Sequence, residues 1–155
     1  MWYKRPKRDG SPMNLTVAAL VAALLTGPVT TDHETTTLHR GPIVKVGKSV
    51  ACTYASKRVT GKNLVGMTLW WYQLNTKWCW DKSMTITKGV NYPSQDSPGP
   101  FWEFDGNITY AQDGGRGSGF WEVTRQGAFH CTFGGLTTHR YPVVKLHMDG
   151  GGDVE

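Results

Sequence analysis

The chain lacks a hydrophobic run long enough to cross a membrane. Its longest uncharged apolar run, residues 15–25, has 11 residues, whereas a spanning helix needs about 20. The run follows four basic residues and ends before Gly27-Pro28, as the n-region and h-region of a secretory signal do. We therefore predict that residues 1–32 are an export segment with a short linker and that the protein is secreted. If the segment is not cleaved, it would tether the protein to the membrane.

Charge of either sign is sparse beyond this segment. Four of the 17 Lys and Arg and two of the 12 Asp and Glu precede His33, which leaves 13 basic and 10 acidic residues. The basic residues are spread along the chain and form no long basic cluster, whereas a nucleic-acid-binding protein clusters them. We therefore expect no nucleic-acid partner.

Cysteine is also scarce. The chain has three, Cys52, Cys79 and Cys131, with no C-x-x-C, and its five histidines show no ligand spacing. This pattern is not that of a zinc site. We expect neither a metal nor another cofactor.

An exported chain with three cysteines is expected to oxidise one pair and leave one residue over, and spacing alone leaves three pairings open. Alternation places Cys131 on the same strand face as Phe129 and Phe133, which indicates a sulfur that faces the core. Cys79 lies in the most aromatic stretch of the chain. We therefore prefer a Cys79–Cys131 disulfide, with Cys52 unpaired; in the alternative, all three are small buried hydrophobes.

No long amphipathic helix pattern appears after residue 30. Short β-type runs alternate with Gly, Pro, Asn and Asp, which predicts an all-β, immunoglobulin-like antiparallel β-sandwich, with a small β-barrel as the alternative. Residues 33–150 are expected to form this single domain and residues 151–155 a flexible tail. Asp105-Gly106 is the clearest predicted hairpin turn. Loops at 91–100 and 112–118 are the expected carriers of function.

Catalytic motifs are missing. Ser118 does not lie in a G-x-S-x-G elbow, because Arg116 occupies the position of the required glycine. Glu103 and Asp105 share one strand face, and paired carboxylates can hydrolyse glycosides, although such residues beside a turn are more often simply solvated. We therefore assign no catalytic residue. A small extracellular hydrolase that uses Glu103, Asp105 or Asp81 is the alternative.

Aromatic residues, in contrast, are abundant: seven Trp, six Tyr and five Phe. Five of them fall between residues 70 and 80, and some must point outward on a two-faced strand. Exposed rings could stack on sugars or anchor a protein; in the alternative both faces are internal and a Trp packs on the disulfide. The predicted binding residues are Trp70, Tyr72, Trp102 and Arg116.

Several short blocks occur in a characteristic order. They are Trp70-Trp71-Tyr72, Trp78-Cys79-Trp80-Asp81, Trp102-Glu103-Phe104-Asp105-Gly106, the segment from Arg125 to Cys131, and Tyr141-Pro142. Across about residues 43–150 the chain resembles a group of small exported proteins of actinobacteria and their phages. It departs from them at Lys82, where a glycine is common, and by its third cysteine, Cys52. The resemblance implies an exported β-sandwich and no catalysis.

Together these patterns predict a non-enzymatic, exported binding module. Its expected partner is a cell-surface protein or a polysaccharide, contacted through loops and exposed aromatic residues. A phage structural or decoration protein is a further alternative with the same fold.

Overall fold

The computed structural model describes Thr31 and His33–Glu155. The predicted export segment, apart from Thr31, lies outside the described residues. The described part of the chain is all-β, with two antiparallel sheets packed as a sandwich and no helix, so the predicted fold class is confirmed. The strands are β1 (His33–Arg40), β2 (Val44–Val46), β3 (Val50–Lys62), β4 (Thr68–Asp81), β5 (Ile86–Asp96), β6 (Trp102–Gly114), β7 (Phe120–Phe133), β8 (Leu136–Arg140) and β9 (Val143–Asp149).

Both sheets are assembled on the same plan. In the first sheet the order is β1-β3-β4-β5, and β2 pairs with β3 beyond the end of β1. In the second sheet β6 lies on one side of β7, while β8 and β9 pair in succession along its other side. Each sheet thus has a long strand with two short strands along one edge. Long hairpins between consecutive strands, such as β3–β4 and β6–β7, make up most of the structure.

The core is rich in aromatic rings, and β4 contributes several of them because every second residue from Trp70 to Trp80 faces inward. The even-numbered residues of β4 over this range are buried, while the odd-numbered residues face the other way. Trp70 stacks on Phe129 of β7 with 5.3 Å between ring centroids, and the Trp78 indole donates a hydrogen bond to the Asp149 carbonyl at 3.0 Å. Large rings from both sheets therefore fill the space between them, and their polar edges find partners.

Two local predictions are corrected. Asp105-Gly106 is not a hairpin turn: it lies inside β6, where the register shifts as in a β-bulge and Gly106 takes a φ of 137° that favours glycine. The predicted loop at 91–100 is strand as far as Asp96, because β5 is an edge strand and can accommodate Pro93.

The C-terminal residues do not form the predicted flexible tail. Val154 is only 4% exposed and bridges to Met148. Glu155 exchanges two backbone hydrogen bonds with His147, each 3.0 Å long. An apolar side chain at position 154 can be buried against β9, and the segment folds back to reach it.

The predicted disulfide partner is wrong. Cys52 and Cys79 lie directly opposite each other on β3 and β4 and form the disulfide, with 4.0 Å between their Cα atoms. Cys131 is a buried free thiol on the second sheet. Cys79 belongs to the odd-numbered residues of β4 and so faces away from the core, whereas Cys131 faces into it. The two sulfurs are therefore on different sides of the first sheet.

Candidate functional site

Three of the four predicted binding residues are part of the core. Trp70 and Tyr72 are completely buried and Trp102 is 4% exposed. Tyr72 donates a 2.6 Å hydrogen bond from its hydroxyl to Asn107 Oδ1, which ties β4 to β6. The alternative in which these rings are internal is the one observed: Trp70 and Tyr72 lie on the inner face of β4, and the Trp102 ring of β6 packs against the Trp70 ring. Only Arg116 is exposed.

The outer face of the first sheet carries a concave surface. It is a groove of about 910 Å³ that runs over the disulfide. Two half-exposed tyrosines, Tyr54 (45%) and Tyr92 (59%), lie along it, and we call it the tyrosine groove. Its lining residues are Val46, Val50, Cys52, Tyr54, Ala55, Ser56, Asn75, Thr76, Lys77, Cys79, Thr87, Lys88, Val90 and Tyr92.

Strand register places the two tyrosines diagonally across the groove. Tyr54 is opposite Lys77, which is opposite Val90; one step along the same face, Ser56 is opposite Asn75, which is opposite Tyr92. The two tyrosines are therefore offset by two strands across the sheet and by two residues along the strand. With ~4.8 Å between strands and ~3.4 Å per residue, their Cα atoms are about 12 Å apart.

The Tyr54 ring is held in place by its neighbours. Gly41 leaves the room it occupies, since a Cβ on Gly41 would lie 2.2 Å from Tyr54 Cε1. The Gly41 amide donates a 2.8 Å hydrogen bond to the Tyr54 carbonyl, and the His39 ring packs 6.0 Å from the tyrosine ring. An aromatic ring that is fixed before binding loses little conformational entropy when a ligand contacts it.

Polar groups lie between the two rings. Asn75 donates from Nδ2 to Ser94 Oγ at 2.9 Å and receives a 2.6 Å hydrogen bond from Gln73 at Oδ1. The exposed amines of Lys77 and Lys88 line the same groove. Among the described residues that line the groove, none is Asp or Glu. The groove is thus apolar at the valines, polar in the middle and basic along β4 and β5.

Arg116 occupies a second, smaller cleft next to this groove. The cleft has a volume of about 330 Å³ and includes Gln112 and Trp121. Thr87 and Lys88 line both the cleft and the tyrosine groove, so the two adjoin at the edge strand β5. The glycine loop that carries Arg116 is anchored, because the Gly117 amide donates to the Ile86 carbonyl at 2.8 Å.

The acidic residues considered for hydrolysis lie elsewhere. On the outer face of the second sheet His130 Nδ1 is 2.6 Å from Asp105 Oδ1, and its Nε2 is 3.8 Å from Glu103 Oε2. The Glu103 side chain is 74% exposed. Asp81 accepts hydrogen bonds from the backbone amides of Ser83 and Thr85 in the β4–β5 turn. These three acids therefore do not converge in one cleft.

Within residues 31 and 33–155, no group of three or more His, Cys, Asp or Glu side chains is arranged to hold a metal ion. In the same residues no helix has the length and apolarity needed to cross a membrane.

Sequence reasoning missed Tyr54 and Tyr92. A signal was present, because Lys77 and Asp81 share a face with Cys79 and mark that face as solvent-accessible. Identifying the outward tyrosines also required the pairing of β3 and β5 with β4, which no local pattern contains.

No family model matches the chain, and no curated protein or solved structure shows significant similarity to it. The resemblance to exported actinobacterial and phage proteins therefore stays a prediction.

Proposed function

We propose that this protein is an exported, non-enzymatic binding module whose contact surface is the tyrosine groove. The observation that carries the proposal is the pair of half-exposed tyrosines beside exposed Val46 and Val90 on one concave sheet face. Aromatic residues are enriched where proteins bind partners, and contiguous exposed apolar surface marks such sites. The partner is a cell-surface component, in agreement with export.

Export is supported by two independent features. Residues 1–32 have the pattern of a secretory signal. The Cys52–Cys79 disulfide is consistent with an extracellular fold, because such bonds persist in oxidising compartments. Intact mass of protein recovered from the culture medium tests this part. Loss of about 30 residues, one disulfide and one free thiol are expected, whereas an uncut chain with three free thiols would contradict export.

The binding role is favoured over hydrolysis by the positions of the acids. Glycoside hydrolysis needs two carboxylates facing each other across a bound substrate. Here Glu103 and Asp105 contact His130 on an open sheet face, and Asp81 holds a turn. The tyrosine groove itself has no acidic lining residue among those described.

The contact surface can be tested by co-sedimentation of the full chain with purified actinobacterial cell envelopes, the surface that the sequence resemblance implies. We expect Tyr54→Ala combined with Tyr92→Ala to abolish co-sedimentation, because both rings are lost without a change of charge. Tyr141→Ala is the control, because Tyr141 is 53% exposed outside the groove. If the double variant still co-sediments with the envelopes, the tyrosine groove is not the contact surface.

A further inference from the structure

We infer that the tyrosine groove binds an anionic polysaccharide, whose chain continues past Lys88 into the cleft of Arg116. This inference rests on the proposed function and specifies the chemical class of the partner. It depends on three properties of the surface: its charge, the spacing of its rings and its continuous shape.

The charge of the surface is of one sign. Lys77 and Lys88 line the groove, and Lys88 and Arg116 line the adjoining cleft. Of the described residues that line either, none carries a carboxylate. Two acids adjoin cleft residues in sequence: Asp113 accepts a hydrogen bond from the Gly114 amide at 2.8 Å, and Glu122 forms an ion pair with Lys145 at 2.9 Å. Three cations along one path complement a ligand that carries repeated negative charges.

The rings and amides suit sugars. A tyrosine ring offers an apolar face on which a sugar ring can stack and a hydroxyl that can hydrogen-bond. Tyr54 and Tyr92, whose Cα atoms are about 12 Å apart, provide two such faces, with Ser56 and Asn75 between them. Alternating stacking surfaces and short polar side chains match a chain of rings that carry hydroxyl groups.

The shape favours a linear polymer over a folded protein. The groove and the cleft adjoin at Thr87 and Lys88, and an extended chain can pass from one into the other around the edge of β5. A stable protein interface instead buries about 800 Å² per partner over a broad patch. The basic residues are too few and too separated for the dense phosphate neutralisation on which nucleic-acid affinity depends. An anionic polysaccharide satisfies the charge, the rings and the path together.

The test is calorimetric titration of the full chain with polygalacturonate and with its fully methyl-esterified form, which has the same backbone without the charge. We expect the charged polymer to bind about tenfold more tightly, as a few exposed charge contacts allow. Raising NaCl from about 0.05 M to about 0.5 M should remove most of this difference. Polyglutamate, an anionic polymer without sugar rings, should bind no more tightly than the esterified polymer.

Variants assign the effect to named residues. Lys77→Met with Lys88→Met should weaken polygalacturonate binding about tenfold, whereas Lys62→Met with Lys145→Met removes the same charge outside the groove and should leave it unchanged. Tyr92→Ala should weaken binding about fivefold, and Tyr92→Phe, which keeps the ring, should not.

Each contrary outcome is distinct. If the esterified polymer or polyglutamate binds as tightly as polygalacturonate, the inference of an anionic polysaccharide is overturned. Failure of every polymer, while envelope co-sedimentation still depends on Tyr54 and Tyr92, overturns this inference and leaves the proposed function standing. If no polymer binds and envelope co-sedimentation does not depend on Tyr54 and Tyr92, both this inference and the proposed function are contradicted.

Discussion

At the scale of single residues, the centre of the sandwich depends on Phe129. Its fully buried ring lies 5.3 Å from the Trp70 ring and 5.0 Å from the Phe104 ring. Phe129→Ala would leave a cavity between the sheets, and we expect the free energy of unfolding to fall by about 3–5 kcal/mol. Urea denaturation followed by tryptophan fluorescence measures the change.

Leu136→Ala is the control for this substitution. Leu136 also belongs to the second sheet but is 77% exposed, so its truncation should change the free energy of unfolding by less than about 0.5 kcal/mol. Similar losses for the two variants would show that Phe129 does not form the packed centre.

Tyr72 makes the free energy of unfolding depend on pH in the alkaline range. Burial raises the pKa of its phenol above the ordinary 10.0, and the nearby Arg125 charge opposes this only in part. Below pH 10.0 the phenol is protonated in both states. As pH rises through 10.0 the unfolded chain loses its proton first, so the free energy of unfolding falls. In Tyr72→Phe this decline should be shallower. Urea denaturation at a series of pH values across that range measures the free energy of unfolding of both proteins. Identical slopes of this free energy against pH would exclude the effect.

At the scale of elements, the disulfide joins two strands that are already paired. It closes a loop with a sequence separation of 27 residues, for which the loop-entropy estimate is about 3.5 kcal/mol. We expect Cys52→Ser with Cys79→Ser to lower the free energy of unfolding by about that amount. Peptide mapping without reduction should recover Cys52 linked to Cys79.

The remaining cysteine provides an independent check on the same pairing. Burial raises the pKa of the Cys131 thiol, which disfavours the reactive thiolate. Iodoacetamide should therefore modify Cys131 slowly in the native protein and rapidly in denaturant, and mass spectrometry of the labelled peptides measures both rates. Fast labelling of Cys52 in the native protein would contradict the observed disulfide.

At the scale of the whole molecule, the C-terminal residues connect the sheets. The Arg40 guanidinium of β1 donates a hydrogen bond to the Val154 carbonyl, while Val154 bridges to Met148 of β9. Deleting residues 153–155 exposes the apolar surface that Val154 covers, and we expect a loss of about 2 kcal/mol in the free energy of unfolding. Thermal and urea denaturation measure it.

Asp153→Ala is the control for the truncation. It removes an exposed side chain but keeps the backbone hydrogen bond that the Asp149 amide donates to the carbonyl of residue 153. A change below about 0.5 kcal/mol is expected. A truncated chain as stable as the full chain would show that the terminal segment contributes nothing to the sandwich.

The fold class and the lack of a recognisable catalytic motif could be predicted from local residue patterns alone. Alternation along β4 and the frequency of turn residues are local properties, because side chains on a strand point to opposite faces with a period of two. The same alternation shows that Cys131 faces the core. Such patterns need no knowledge of which strands are neighbours.

Which cysteines pair and where the contact surface lies followed only from the three-dimensional packing of the strands. Each depends on register between strands: Cys52 meets Cys79, and Tyr54 lies diagonally from Tyr92, because β3, β4 and β5 align as they do. Shifting a strand by one residue would reverse every side chain. Register is set by contacts between residues distant in sequence, which the pattern within a single strand does not contain.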